Sequence, residues 1–491
     1  MDKLNRKEDS VVSLKKRIWI ALAAGLYPFL HFYSNNYNIA NSWEQFVFLF
    51  SLCILVPLGI VFILPHLFRL GWLKKLRAYY LTAFNFLYFT GLLGLLIFHF
   101  RKGIFILILS GVGLLSLVLY RHLTKIIILQ FLLAIMSLFT MVPRLYFVYS
   151  YDDSWTKIEP PISAIKFKQT PNIYFIQPDG YVNFSEIRKP PYDHLDMGFE
   201  NWLTEKGFIN YGNFRSNYFT TLTSNSSVFT MKHHYYQNIN KSTAKTHRAM
   251  EDIVGDNNAL RILNNNYYRT HLFTNNTFFL LNRKLKAYDF CNIPQSMIPF
   301  YKLGRLNNID IISDLEATLK TQSDAPNFYF IENTIPGHVR NTERASRGVE
   351  KEREKYLESV ERANDWLTSL ISLIDEHDKN PLIVIMADHG GSVGLAYSSE
   401  IKERKLNASE ISSVFSALMS IRWPNNEDPQ NLNFKSSVNL FRNLFYYLSE
   451  DPILLKSYQT DKSFIYIMEN NFVEVYECLD ENGNFGYKKI E

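Results

Sequence analysis

The apolar residues of this 491-residue chain are very unevenly placed, and that constrains its fold more than any other feature. The first 150 residues are dominated by Leu, Ile, Phe, Val and Tyr, while the remainder has the mixed character of a water-facing domain. A chain of this length outgrows one ordinary core, so at least two structural units are expected. Five apolar runs are read: Ile18 to Tyr33, Phe46 to Phe68, Tyr79 to Phe100, Ile104 to Tyr120 and Ile126 to Tyr149. Each approaches or exceeds the roughly 20 residues a helix needs to cross a bilayer, the first and fourth being the shortest. The first run is followed by no small-residue cleavage site, and further spans come after it, so it reads as an anchor rather than a signal peptide.

Basic residues give the orientation. Lys3, Arg6, Lys7, Lys15, Lys16 and Arg17 precede the first run and hold the N-terminus in the cytoplasm. The stretch Ser34 to Gln45 has no Lys or Arg and reads as external. Arg69, Lys74, Lys75 and Arg77 mark an internal loop, as do Arg121 and Lys125. Arg101 with Lys102 is a short external turn that disobeys the rule. Five spans from an internal start place everything after about Tyr151 outside. His31, His66 and His99 fall at span ends, where interfacial anchoring suffices to explain them. No charge falls mid-span, so an ion pathway has no support.

The net charge of +5 is mild, and much of the excess flanks the apolar runs. Membrane topology accounts for it, and no nucleic-acid-binding motif is present. Of three cysteines, Cys53 lies within a span, while Cys291 and Cys478 could pair if their domain is exported. No CxxC or Cys/His cluster suggests structural zinc.

Residues 151–170, with Pro160 and Pro161, read as a linker. An α/β alternation follows over 171–450. Pro171 to Gln177 reads as a buried strand ending in Pro178, Asp179 and Gly180. Asn327 to Glu332 is a second strand. Glu350 to His377 is a long amphipathic helix, with Tyr356, Val360, Ala363, Leu367, Leu370 and Ile374 recurring at spacings of three and four. It leads into Leu382 to Ala387, the most apolar strand, which ends in Asp388, His389 and Gly390. The predicted fold class is therefore a multi-span α-helical membrane domain (residues 18–150, after a tail of 1–17), followed by a mainly parallel sheet covered by helices on both faces. In such sheets ligands sit beyond the carboxyl ends of the strands. The extension 451–491 carries no chemical motif, and FIYIMENNFVEVYECL within it suggests a β-rich cap.

The segments PNIYFIQPDGY, RSNYFTTLTSNSS, PLIVIMADHGG and VNLFRNLFYYL, in that order, resemble the alkaline phosphatase/sulfatase superfamily. More narrowly they resemble its membrane-anchored phosphoglycerol and phosphoethanolamine transferase branch, and the five-span anchor is similar to that of lipoteichoic acid synthases. The resemblance implies an alkaline phosphatase-like fold and a metal site formed by Asp179, Thr221, Asp388 and His389.

By itself Asp179-Gly180 is a turn signal. An adjacent carboxylate and imidazole at the end of a buried strand suit one divalent cation, zinc or manganese, with magnesium or calcium as further candidates. Thr221 is the candidate nucleophile, because the family places a Thr three residues before a Ser at a helix start, which Thr221 and Ser224 satisfy. Thr220 and Thr223 are the register alternatives, and the segment alone reads as a helix cap. A hydroxyl's pKa is far too high for attack at neutral pH; a metal and a helix N-terminus lower that barrier.

His338 is implied as a substrate-contacting or leaving-group histidine, although Gly337-His338 departs from the family's commoner Pro-His order. Two-metal relatives have an Asp where Thr334 stands, so a single metal is expected. Arg215, His233 and His234 flank the nucleophile loop and could hold an anionic phosphate. No Cys or Ser followed at the right spacing by Pro and Arg is present, and Cys291-Asn292-Ile293-Pro294 has the wrong spacing, which argues against formylglycine-dependent sulfate hydrolysis.

The resulting expectation is metal-dependent transfer of a phosphoglycerol or phosphoethanolamine group from a membrane phospholipid donor to an envelope glycan or glycolipid acceptor, through a covalent threonine intermediate. Two alternatives stand beside it: an exported phosphodiesterase or sulfatase-like hydrolase of the same fold, and a non-catalytic membrane protein that binds glycan or a partner enzyme.

Overall fold

A computed structural model describes residues 13–37, 39–68, 71–98, 102–233, 248–283, 287–300, 308–321, 325–430, 432–470 and 472–490. Lys3, Arg6, Lys7, Arg69, His99, Arg101 and His234 lie outside the described residues. The chain forms two compact units: Met1–Tyr151 with Leu281–Arg283 and Pro299–Gly304, and the remainder.

The first unit is helical, because its apolar runs can satisfy every backbone polar group within a helix. Helix α1 spans Leu14–Asn36 and starts where the Ser13 side chain accepts a hydrogen bond from the Lys16 amide. Among the described residues three helical runs, all after α1, are long and apolar enough to cross a membrane: α2, Trp43–Leu67; α3, Tyr80–Phe98; and the 49 residues Lys102–Ser150; α1, which holds the first expected span, is not among them. The last is about twice what one crossing needs. A tight turn at Tyr120–His122 divides it into α4, Lys102–Leu119, and α5, Leu123–Ser150.

Polar side chains join the helices where no water is at hand. Asn85 of α3 and Gln130 of α5 exchange two hydrogen bonds of 3.0 Å, and Asn85 also donates to the Ile20 carbonyl of α1. Arg144, near the end of α5, donates to the Ser34 carbonyl at 3.2 Å. At Gly25 α1 comes so close to α2 that a Cβ would lie 1.6 Å from the Cys53 carbonyl oxygen.

The second unit is built on a seven-stranded sheet in the order β2-β7-β6-β1-β5-β3-β4. Its strands are β1 (Ile173–Pro178), β2 (Ile209–Asn210), β3 (Arg269–Thr274), β4 (Phe290–Cys291), β5 (Asn327–Asn333), β6 (Leu382–Met386) and β7 (Met419–Arg422). β1 lies between β5 and β6 and is parallel to both, and β3 and β4 extend the parallel set. The pairs β6–β7 and β7–β2 are antiparallel. β1, β5 and β6 are buried along their whole length, which is why they read as unbroken apolar runs.

Two helices matter for the site. α6 spans Thr221–Thr230 and is buried from Thr223 onward. α7 spans Val349–His377 and buries the expected stripe from Tyr356 to Ile374.

The C-terminal segment forms a separate antiparallel sheet of β8 (Ser463–Glu469), β9 (Phe472–Leu479) and β10 (Phe485–Lys489), as its alternation suggests. Residues 151–170, read as a linker, contain a short helix, Pro160–Ser163, and Trp155, Ile162 and Ile165 are buried. Cys291 and Cys478 are both unpaired. Cys478 is buried in β9 with its thiol on the Ser463 carbonyl, because strand pairing fixes it there.

Candidate active site

The β1 and β6 strands both end at the carboxyl edge of the sheet, so the residues after them share one rim. Asp179 follows β1, and its amide donates to the Asn333 carbonyl at the end of β5. Gly180 makes the turn with φ +68, and its amide donates to Asp388 Oδ1 at 3.0 Å. A Cβ on Gly180 would stand 2.3 Å from the Gly337 carbonyl oxygen, so the turn after β5 closes over this one only because position 180 has no side chain.

Asp179, Asp388 and His389 each present a ligand atom, and these atoms lie within 4.8 Å of one another. His389 Nε2 is 3.6 Å from Asp179 Oδ1 and 3.3 Å from Asp388 Oδ2. His389 Nδ1 lies 2.9 Å from the Gly390 carbonyl oxygen. A carbonyl only accepts, so Nδ1 carries a proton, and in the neutral ring the lone pair of Nε2 turns toward the two carboxylates. Asp388 is fully buried, and its Oδ2 accepts no hydrogen bond.

Burial raises the Asp388 pKa, with the Asp179 charge adding to that rise. For His389 burial alone lowers the pKa, but the charges of Asp388 and Asp179 outweigh it and the net shift is upward. Two carboxylates crowded beside an imidazole in a dry site repel each other and are costly to bury. A divalent cation resolves the conflict, and two carboxylates with an imidazole are a suitable donor set for zinc or manganese. The residues present fit a bound metal.

Thr221 opens α6, and its Oγ1 lies 3.4 Å from both Asp179 Oδ1 and His389 Nε2. Its position at the first turn puts the hydroxyl among the unsatisfied amides and the positive end of the helix dipole. The register alternatives are otherwise engaged. Thr220 caps the helix through the Thr223 amide, and the Thr220 and Thr223 hydroxyls bond each other at 2.7 Å.

Two ties that the sequence reading missed fix α6 against the sheet. Ser224 Oγ donates to the Asp388 carbonyl at 2.6 Å, and Asn225 exchanges two amide hydrogen bonds with Gln177 of β1. The available signal was polar residues, Gln177 and the TSNSS run, where the pattern demands burial.

His338 follows β5 as expected, and its ring centroid is 5.7 Å from that of His389. Its Nδ1 lies 2.6 Å from the Val339 carbonyl oxygen. Thr334 bonds Asn275.

Arg215 and His233 are placed differently from the expectation. The Arg215 guanidinium donates to the carbonyls of Asp461, Asp480 and Glu481 and fastens the C-terminal sheet. His233 Nε2 meets the Thr460 carbonyl at 2.6 Å, and its Nδ1 meets the Tyr218 hydroxyl at 3.0 Å. Both are buried. A second His/acid cluster among the described residues, His194 with Asp196 and Glu361, has two exposed members and lies away from these turns in sequence.

No protein-family model matches the chain, and no curated protein matches it. The solved structures to which it is similar in outline include the following. One is the integral membrane protein lipooligosaccharide phosphoethanolamine transferase A from Neisseria meningitidis, with 12% identity, TM-score 0.43, and coverage of 86% of this chain and 95% of that one. A second is the C-terminal periplasmic domain of EcEptC from Escherichia coli in complex with Zn, with 12% identity, TM-score 0.40, and coverage of 65% and 95%. The third is the lipoteichoic acid synthase LtaP from Listeria monocytogenes, with 14% identity, TM-score 0.39, and coverage of 67% and 91%. These are likenesses of outline, and the chemistry rests on this chain's own residues.

Proposed function

We propose that the chain is a membrane-anchored, metal-dependent transferase. It moves a phospho-alcohol group, phosphoglycerol or phosphoethanolamine, from a membrane phospholipid to a hydroxyl of an envelope glycan or glycolipid. The observation that carries this reading is the convergence of Asp179, Thr221, Asp388 and His389, which come from three separate stretches of sequence. The proposed topology is five spans with the N-terminus in the cytoplasm and the catalytic domain outside the cell membrane, so a lipid donor need never leave the bilayer.

Asp179, Asp388 and His389, with the Thr221 hydroxyl, would hold one divalent cation. When bound, such an ion lowers the cost of deprotonating an alcohol and neutralises charge on phosphoryl oxygens. Thr221 Oγ1 attacks the donor phosphorus and its proton passes to solvent. A Thr–O–P bond forms, and the P–O bond to diacylglycerol breaks. The leaving oxygen takes a proton, a role we assign to His338. In the second half the acceptor hydroxyl attacks the same phosphorus, its proton returns to His338, and the Thr221 oxygen is released and reprotonated from solvent. The hydrogen bond from His389 Nδ1 to Gly390 keeps Nε2 aimed at the cluster throughout.

The test is incubation of purified protein in lipid vesicles with head-group-labelled phosphatidylglycerol or phosphatidylethanolamine and an envelope glycan fraction. The expected result is metal-dependent label on glycan. Free phospho-alcohol as the sole product means a hydrolase, and no turnover with either lipid contradicts both enzymatic readings. Thr221→Ala is expected to lose activity on the order of 10⁴-fold or more, as removal of a covalent nucleophile does.

A further inference from the structure

The two turns that bring the candidate metal ligands together are joined by a pair of buried tyrosines. Tyr356, on α7, donates its hydroxyl hydrogen to the Gly180 carbonyl at 2.9 Å. The same oxygen accepts from the Val182 amide at 3.0 Å. Both lone functions of one hydroxyl are thus committed to the turn that carries Asp179. The ring is committed to the other turn: a Cβ on Gly391 would lie 2.3 Å from Tyr356 Cε2, so the segment after Asp388 and His389 packs directly against the ring.

Tyr192 completes the joint. Its hydroxyl accepts from the Gly391 amide at 3.2 Å and bonds Ser413, and its ring is 5.5 Å from that of Tyr356. Arg353, one turn before Tyr356 on α7, donates to the Tyr192 carbonyl at 2.8 Å. One helix therefore reaches the Asp179 turn through a hydroxyl, the Asp388–His389 turn through a ring, and Tyr192 through a guanidinium. The hydrogen bonds of the two phenols go to Gly180, Val182, Gly391 and Ser413.

A purely apolar residue at 356 would pack α7 equally well. A hydroxyl making two backbone bonds in a water-free place has a cost of burial that packing alone does not explain. Groups that orient metal ligands from behind are a recurrent means of setting affinity and geometry.

We infer that Tyr356, supported by Tyr192, is a positioning residue that sets the separation of Asp179 from Asp388 and His389 and so the affinity of the site for its divalent cation. The inference rests on the metal-site reading above, and its test separates the two. Zinc and manganese affinities are measured by titration of the metal-stripped full-length protein in detergent, for wild type, Tyr356→Phe, Tyr192→Phe and Asp388→Ala. Thermal unfolding of each metal-free protein is recorded in parallel.

Tyr356→Phe keeps the ring and loses the hydroxyl. It is expected to lower the metal-free unfolding temperature somewhat, because two buried backbone groups lose their partner, to weaken metal binding by roughly 10- to 100-fold, more than that loss of stability accounts for, and to lower kcat with little change in KM for the lipid. Tyr192→Phe is expected to weaken binding in the same direction by less, and it keeps the inference testable should Tyr356→Phe fail to fold. Asp388→Ala is expected to bind no metal at the site. Wild-type metal affinity in both tyrosine variants, with Asp388→Ala inactive in binding, overturns the positioning role alone. Undiminished binding in Asp388→Ala overturns the metal site itself. Equal losses of metal affinity and metal-free stability in both tyrosine variants would reduce the pair to structural support and overturn the inference.

Discussion

Asp388 Oδ2, Asp179 Oδ1 and His389 Nε2 face one another, and Thr221 Oγ1 stands within 3.4 Å of two of the three. Another of the buried carboxylates, Asp252, lies outside this cluster. Asp252 is enclosed, accepts from Ser226 Oγ of α6 at 3.0 Å, and its pKa is pushed up from 3.8 to about 7 by burial, with Glu251 and Asp153 adding and Arg248 and Ser226 opposing. A carboxyl whose pKa rises on folding is protonated in the folded protein while still ionised in the unfolded chain. Its stabilising contribution is complete below pH 3.8 and is lost as the pH rises through about 7. The loss over that window is on the order of 4 kcal/mol. Asp252→Asn is expected to flatten the fall in unfolding temperature between pH 5 and 8 and to be the more stable protein at pH 8. An unchanged pH profile in this variant would show that Asp252 is ionised in the fold. Asp388 and His389 stand out in the sequence as an adjacent carboxylate and imidazole ending an apolar strand, whereas Asp179 alone reads as a turn and Thr221 alone as a helix cap, and only the resemblance brings them in. The surroundings of Arg215 and His233 were not legible, because their partners at Thr460, Asp461, Asp480 and Glu481 lie more than 200 positions away, and a basic residue beside a nucleophile loop gives no sign of which carbonyls it will find.

At the scale of elements the rim is held by close backbone approaches rather than by side-chain volume. Gly180 and Gly337 have φ +68 and +76, and the turns they make pack directly on each other. Gly180→Ala meets both an unfavourable φ and a backbone oxygen 2.3 Å from the new Cβ. It is expected to cost at least about 1 kcal/mol of stability and to weaken metal binding more than Gly337→Ala, whose Cβ meets its nearest atom at 3.3 Å. Thermal unfolding and metal titration of the two variants check this, and equal effects would contradict it. β1, β5, β6 and α7 could be read from sequence because double-sided burial and a 3.6-residue stripe leave strong patterns. β3, with the sequence RTHLFT, and the two-residue β2 and β4 leave none, since a short or half-polar strand is chosen by its neighbours. Within 151–170, read as a linker from its prolines, Trp155, Ile162 and Ile165 are buried.

For the whole molecule, the chain joins a helical unit rich in exposed Leu, Ile and Phe to an α/β unit with one polar constellation on its rim. Under the proposed topology, a cysteine at Asn36 should react with a membrane-impermeant reagent in intact cells, and one at Lys75 only after permeabilisation. The reverse pattern would invert the orientation and place the catalytic rim in the cytoplasm. The central claim is chemical: one threonine at the start of α6 becomes covalently bound to phosphorus during turnover. Mass spectrometry of acid-quenched protein, after brief exposure to phospholipid and metal without acceptor, tests it most directly. The account expects a phospho-alcohol adduct on Thr221, absent in Asp388→Ala and discharged when acceptor glycan is added. An adduct on Thr220 or Thr223, or turnover of lipid with Thr221 unmodified at every time point, would contradict it.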